Sequence, residues 1–100
     1  QFAILPISEK YNEYAEKLSQ FLNNSDIRGF VDDRNEKIGK KIREAELQKV
    51  QLMLIVGEQE EANNQISVRQ RKEGDLGTMS WEEFQAFVEK SIEKELANNA

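Results

Sequence analysis

The order in which strand-like and helix-like segments alternate limits this chain most. Phe2-Ala3-Ile4-Leu5-Pro6-Ile7 and Leu52-Met53-Leu54-Ile55-Val56 are short apolar runs without alternation, the pattern of strands buried on both faces. Ile27–Asp32 reads as another strand between them, and Pro6 belongs at a strand end, where a missing N–H costs least. The connections have a different period. Tyr11, Tyr14, Ala15, Leu18 and Leu22 fall at i, i+3, i+4, i+7 and i+11, and Asn23-Asn24-Ser25-Asp26 stops that helix. A second helix is expected over Lys37–Lys49, with Ile38, Ile42 and Ala45 inward and Lys37, Lys40 and Lys41 outward. Strand-helix-strand-helix-strand implies parallel strands joined by right-handed crossovers.

The second half changes character. Glu58 to Asn64 is polar and turn-like, and Gln65–Arg71 then alternates, which fits a half-exposed strand returning antiparallel. By the period of two, Ile66 and Val68 share one face; Ser67, Arg69 and Arg71 share the other. Lys72-Glu73-Gly74 reads as a turn, and Asp75–Thr78 as a short edge strand. Ser80-Trp81-Glu82-Glu83 has the spacing of a capping box, opening a helix with Trp81, Phe84, Val88, Ile92 and Leu96 on one stripe. The expected fold is a three-layer α/β/α domain over residues 1–97, with a mixed sheet of about five strands and three helices. Asn98-Asn99-Ala100 is expected to fray. The chain opens on Gln1 and runs straight into an apolar strand, so we expect a segment excised from a longer protein.

Composition removes most enzymatic readings. One hundred residues suffice for one modest core. With no Cys and no His, there is no disulfide framework, no thiol nucleophile, and neither the usual metal ligands nor the commonest general base. Absence of Cys fits a reducing cytosol, and no apolar run approaches the roughly 20 residues that cross a bilayer. Gly29 and Gly39 stand alone, outside any phosphate-loop spacing, and Ser8, Ser25, Ser67 and Ser80 have no His to activate them. Asp32-Asp33 has the makings of a carboxylate pair or a Mg²⁺ site, but Arg34 beside it favours a structural role. Tyr11, Tyr14 and Trp81 read as packing aromatics. No catalytic constellation remains.

The net charge of −5 argues against a polyanion partner, but its distribution does not. Residues 28–72 hold ten Lys/Arg against eight Asp/Glu, a local excess of two positive charges. Lys37, Lys40 and Lys41 have a bland explanation as a solvated helix face paired with Glu36 and Glu44. Arg69 and Arg71 on one face of a strand are harder to dismiss. Two guanidiniums there repel each other, so an anionic or base-edge partner is attractive.

The run Asp33-Arg34-Asn35-Glu36-Lys37-Ile38-Gly39-Lys40-Lys41-Ile42-Arg43-Glu44-Ala45, taken with Val68-Arg69-Gln70-Arg71 and Asp75-Leu76-Gly77-Thr78-Met79-Ser80, resembles one family closely. That family is the C-terminal anticodon-binding domain of threonyl-tRNA synthetases, which belong to class II. The specific part spans Ile27–Ser80, and the flanking elements fit the same domain from Phe2 to Leu96. The resemblance implies a reader of the threonine tRNA anticodon loop, with G in the middle and U last, splayed onto the sheet. By position it implies Arg69 at the O6/N7 edge of the middle G and Glu60 accepting from its N1–H and N2–H₂. Asn35 is then expected to contact a base, Lys37 and Arg43 bases or phosphate, and Lys49 to lie near the RNA. Arg34 and Arg71 are expected as secondary phosphate contacts, with pairing to Asp32 as the alternative for Arg34.

The resemblance also implies a cytoplasmic, homodimeric parent enzyme that ligates threonine to tRNA with ATP. Its magnesium and zinc belong to a catalytic domain that no residue here matches, so this segment is expected to hold no cofactor and catalyse nothing. There are departures. Gln51-Leu52 stands where Pro and an aromatic residue are expected, and Gln70 and Lys72-Glu73-Gly74 replace a more basic, glycine-rich stretch. Two rivals remain at this point: a free-standing relative acting as an RNA-binding or dimerisation module, and an α/β domain that binds a small anion at the start of the Lys37 helix.

Overall fold

Burial on both faces places the two apolar runs at the centre of a five-stranded sheet. The computed structural model describes the backbone of residues 2–25 and 27–99, and side chains among these as far as Lys90. Its strands are β1 (Phe2–Pro6), β2 (Gly29–Val31), β3 (Leu52–Val56), β4 (Gln65–Gln70) and β5 (Gly74–Ser80), in the order β2-β1-β3-β4-β5. Strands β1, β2 and β3 are parallel, as two helical crossovers require, and β3-β4-β5 is an antiparallel meander. The helices are α1 (Asn12–Asn23), α2 (Ile38–Leu47), α3 (Glu58–Asn63) and α4 (Trp81–Asn99). The mixed α/β sheet expected from the sequence is present.

Two cores lie against the two faces. On one, Phe2, Ile4, Leu54, Val56, Ile66 and Val68 pack against Tyr14, Leu18 and Leu22 of α1 and Phe84 of α4. The rings of Phe2 and Phe84 meet edge to face, centroids 6.3 Å apart. On the other, smaller core, Ala3, Leu5 and Met53 lie under Ala45 and Val50, with Ile38 and Ile42 of α2 packed beside them. The capping box forms as expected: the Glu83 N–H donates to Ser80 Oγ at 3.1 Å, and the Ser80 N–H donates to Glu83 Oε1 at 3.0 Å. The Ser80 N–H and, after it, the Ser80 hydroxyl hold the Glu83 carboxyl below its usual range. The expected positions of Ile92 and Leu96 on the α4 stripe concern side chains outside the described residues, and Ala100 lies outside them as well, whereas Asn98 and Asn99, expected to fray, continue the backbone of α4.

Three expectations need correction. Glu58–Asn63 is a helix rather than a turn. Three carboxylates in its first turn complement the helix dipole, and Asn64, at φ 52°, ends it in the left-handed conformation that Asn tolerates. Strand β5 is longer than the short edge expected. It runs seven residues and carries a bulge in which Leu76 is the extra residue between Asp75, the partner of Arg69, and Gly77, the partner of Val68, while Gly77 adopts φ 97°. Lys41 is not on the outer face of α2. It is 1% exposed, and its Nζ donates to Pro6 O at 3.0 Å and Asp32 O at 2.9 Å. The wide apolar face of α2 takes in position 41, and the long lysine stem reaches the carbonyls where β1 and β2 end.

Candidate nucleic-acid interface

The register decides which side chains share the face under α2. Ala3 pairs with Met53 and Leu5 with Ile55, while Met53 lies opposite Arg69 and Ile55 opposite Ser67. Opposed residues in neighbouring strands point to the same side, so Ser67 and Arg69 emerge on the face that α2 covers. The helix, however, sits over the parallel half. Met53 is buried beneath it, whereas Ser67 and Arg69 are half-buried and Thr78, opposite Ser67, is exposed. The antiparallel half of this face is therefore an open floor with α2 as its wall.

The two flanks of α2 have separate tasks. Glu44 and Lys41 face β2: Glu44 accepts from Arg34 Nη2 at 2.8 Å, and Lys41 reaches the ends of β1 and β2. Glu46 faces β4, with Oε1 3.6 Å from Arg69 Nε. Gly39, Ile42, Arg43 and Glu46 stand at i, i+3, i+4 and i+7, which aligns Gly39 and Arg43 with Glu46 along the wall of the open floor. A Cβ added at Gly39 would meet nothing within 4 Å, so the wall is unobstructed there.

This arrangement sorts the basic residues. Arg34 is a brace. It forks onto Asp32 at 2.8 and 2.9 Å and also reaches Glu44, so the pairing with Asp32, one of its two expected roles, is present. The Arg34 hydrogen bond holds the Asp32 carboxyl below its usual range against the opposing effect of burial, and both acids hold Arg34 charged. Lys40 lies 3.3 Å from Glu36 and 3.9 Å from Glu44. Arg71 Nε donates to Glu46 O at 3.1 Å, satisfying a carbonyl in the last turn of α2. By contrast, the side chains of Asn35, Lys37, Arg43 and Lys49 are exposed and make no hydrogen bond or ion pair among the described residues. Asn35 and Lys37 lie on the segment leading into α2, Arg43 on the wall, and Lys49 just past its end.

Lys49 occupies an unusual backbone position. The Val50 N–H bonds Ala45 O at 3.0 Å and the Lys49 N–H bonds Glu46 O at 3.1 Å, the pattern of a Schellman motif with Lys49 at the site where Gly is preferred. Its φ of 63° disfavours any side chain. Lys49→Gly is expected to raise stability by about 0.5–1 kcal/mol in urea unfolding. A loss of stability instead would show that the lysine side chain makes a native contact worth more than the strain.

Glu60 stands at the far end of the floor. Its helix, α3, follows β3, so about 13 Å of strand separates the level of Arg69, opposite Met53, from Gly57 at the start of α3. Helix α3 buries none of its own residues. It is held through Tyr14, whose hydroxyl lies 2.7 Å from Gln65 O and 3.1 Å from Glu60 O, and accepts from Trp81 Nε1 at 2.8 Å. Burial holds the Tyr14 phenol above its usual range despite the Trp81 hydrogen bond. The expected packing role of Tyr14 and Trp81 is thus joined to a polar one.

A separate cleft of about 270 Å³ lies on the β2 side of α2, lined by residues including Phe30, Asp33, Arg34 and Lys41. Its two cations, Arg34 and Lys41, already have partners within the fold. No group of three or more His, Cys, Asp or Glu placed to hold a metal ion occurs among the described residues. No helix among those residues is long and apolar enough to cross a membrane.

Glu46, the open wall at Gly39 and the Tyr14 hydroxyl were not singled out by the sequence. Their i+7 spacing on α2 would have aligned Gly39 with Glu46, but only the sheet register shows which strand that flank faces.

The comparisons with known proteins agree with this architecture. The pattern of the family described as "Anticodon binding domain" matches residues 1–91. The chain is 54% identical over 93 residues to the threonine–tRNA ligase of Bacteroides thetaiotaomicron, covering 93% of this chain and 14% of that protein. It is 54% identical over 100 residues to the ligase of Caldanaerobacter subterraneus subsp. tengcongensis, covering 100% of the chain and 15% of the relative. It therefore spans about one seventh of the length of these ligases. The crystal structure of the RNA binding domain of threonyl-tRNA synthetase from Cryptosporidium parvum Iowa II superposes with a TM-score of 0.85 at 27% identity, over 90% of this chain and 23% of that one. This chain belongs to the anticodon binding domain family, in the form that threonyl-tRNA synthetases carry.

Proposed function

We propose that the chain reads the anticodon loop of threonine tRNA, whose middle base is G and last base U. One observation supports the reading: half-buried Arg69 lies on the half-sheet that α2 leaves uncovered, and Lys37, Arg43 and Lys49, on and at the two ends of α2, are exposed and make no hydrogen bond or ion pair among the described residues. A single-stranded loop is the RNA element whose base edges are free to be laid on such a surface. Arg69 would take the O6/N7 edge of the middle G, and Glu60, across the floor, its N1–H and N2–H₂. A pyrimidine or an adenine leaves at least one of those charges unpaired. Asn35 would contact a second base, while Lys37, Arg43 and Lys49 would meet bases or phosphates and supply the salt-dependent part of the affinity. Arg34 and Arg71 enter as supports that hold α2 and its leading segment, with phosphate contact secondary.

The longer protein would be a cytoplasmic, homodimeric threonine–tRNA ligase. ATP, magnesium and zinc would be handled outside the residues described here.

The test is a low-salt titration of the chain with a threonine anticodon stem-loop beside a control whose middle G is replaced by A. Preference for G by roughly tenfold or more is expected, and log affinity should fall with log salt. Equal binding to both loops would reduce the surface to a nonspecific basic patch.

A further inference from the structure

We propose that Glu46 is a positioning residue for base discrimination: it holds the Nε edge of Arg69 so that the terminal amino groups face the open floor. The role rests on the anticodon reading above and deepens it. Three observations converge. The Arg69 side chain is 38% exposed, yet its Nε is buried and has no hydrogen-bond partner within reach. The carboxylate that faces it is that of Glu46, with Oε1 at 3.6 Å. Arg71 Nε donates to the carbonyl of that same residue at 3.1 Å, which fixes the end of α2 relative to β4.

A guanidinium has two hydrogen-bonding edges, one containing Nε–H and one formed by the two terminal amino groups. With the first edge turned toward a carboxylate, the second is the one left exposed. That is the edge suited to the paired acceptors O6 and N7 of guanine. A buried N–H facing a carboxylate at 3.6 Å is also incompletely satisfied. A shift of less than 1 Å as the base docks would bring it to the 2.7–2.9 Å typical of a charge-assisted hydrogen bond.

The charge of Glu46 has a second consequence. A free arginine on an open surface binds any phosphate, with no regard to sequence. Glu46 lowers the positive potential at the floor and repels phosphate oxygens, so Arg69 is reserved for a neutral acceptor pair. Specificity then comes partly from an element that opposes the wrong ligand.

Glu46→Ala and Glu46→Gln separate the two parts, titrated with the G-loop and the A-loop at several salt concentrations. For Glu46→Ala the G-over-A ratio should fall about fivefold or more, binding of the A-loop should tighten, and the salt dependence should steepen. Glu46→Gln keeps an oxygen for Arg69 Nε but loses the charge. It should steepen the salt dependence similarly while retaining more of the G-over-A ratio. A ratio in Glu46→Ala within about twofold of the parent overturns the role, as does equal weakening of both loops, the signature of a merely structural residue. A parent chain that fails to prefer G overturns the anticodon reading itself, and this role with it.

Discussion

Arg69→Ala is expected to abolish the preference for a middle G while leaving the domain folded. The side chain is half-buried at the surface of β4, and its nearest ion-pair partner, Glu46, stays solvated when the guanidinium is removed. Stability should therefore change by less than about 1 kcal/mol, as for other exposed pairs. Binding is different. A bidentate contact to O6 and N7 discriminates by about 1–3 kcal/mol, or roughly 5- to 150-fold. The G-loop should weaken by that factor and the A-loop by much less. Paired titrations of both loops, with a urea melt to confirm folding, check this outcome. If both loops weaken equally, Arg69 contacts phosphate, and the guanine reader must lie elsewhere on the floor.

Lys41 should carry the largest stability effect. Its ammonium is enclosed at the ends of β1 and β2, where it satisfies Pro6 O and Asp32 O. Lys41→Ala removes four side-chain atoms from a packed site and leaves both carbonyls short of a donor, a combined loss of about 3–5 kcal/mol. At roughly 4–8 °C per kcal/mol for a domain of this size, Tm should fall by 10 °C or more. Lys41→Met keeps most of the volume and removes the buried charge, whose desolvation itself opposes folding. The methionine variant should lie between the parent and Lys41→Ala in thermal unfolding. It should also bind the G-loop more weakly, because Asp32 O leads directly into the segment that carries Asn35 and Lys37. A methionine variant as stable as the parent would mean that desolvation of the ammonium cancels its two hydrogen bonds, leaving positioning of that segment as the reason for a lysine there.

Much of the fold was legible because its signals are local. The apolar runs of β1 and β3, the helical stripe from Tyr11 to Leu22 and the capping box at Ser80 each lie within one element. Helix α3 was missed because five polar residues and a lone alanine carry no apolar period, and it is held by dipole complementarity, by Asn64 in the left-handed region and by the Tyr14 hydroxyl. Lys41 was misplaced for a related reason: a lysine counts as polar in a pattern, whereas in space its stem can be buried when carbonyls wait at its tip. For the interface, alternation in β4 correctly placed Ser67 and Arg69 on one face. It did not show that α2 leaves that face open, or that Arg34 and Arg71 are occupied as braces while Arg43 and Lys49 are not.

Two kinds of information therefore divide this protein. The sequence alone determined the order of the elements, the parallel-then-antiparallel sheet, the exclusion of His- and Cys-based chemistry, and the residue set resembling an anticodon reader. Each of these depends on spacing of a few residues or on composition. Only the tertiary structure decided which cations are free, which flank of α2 faces Arg69, and that Glu46 rather than Glu44 stands beside it. Those facts depend on strand register and on where a helix lies across a sheet, and the contacts of Glu46 with Arg69 and Arg71 join residues more than 20 positions apart. A linear pattern cannot encode them, because a shift of one residue in register would exchange the two faces while leaving every local signal unchanged.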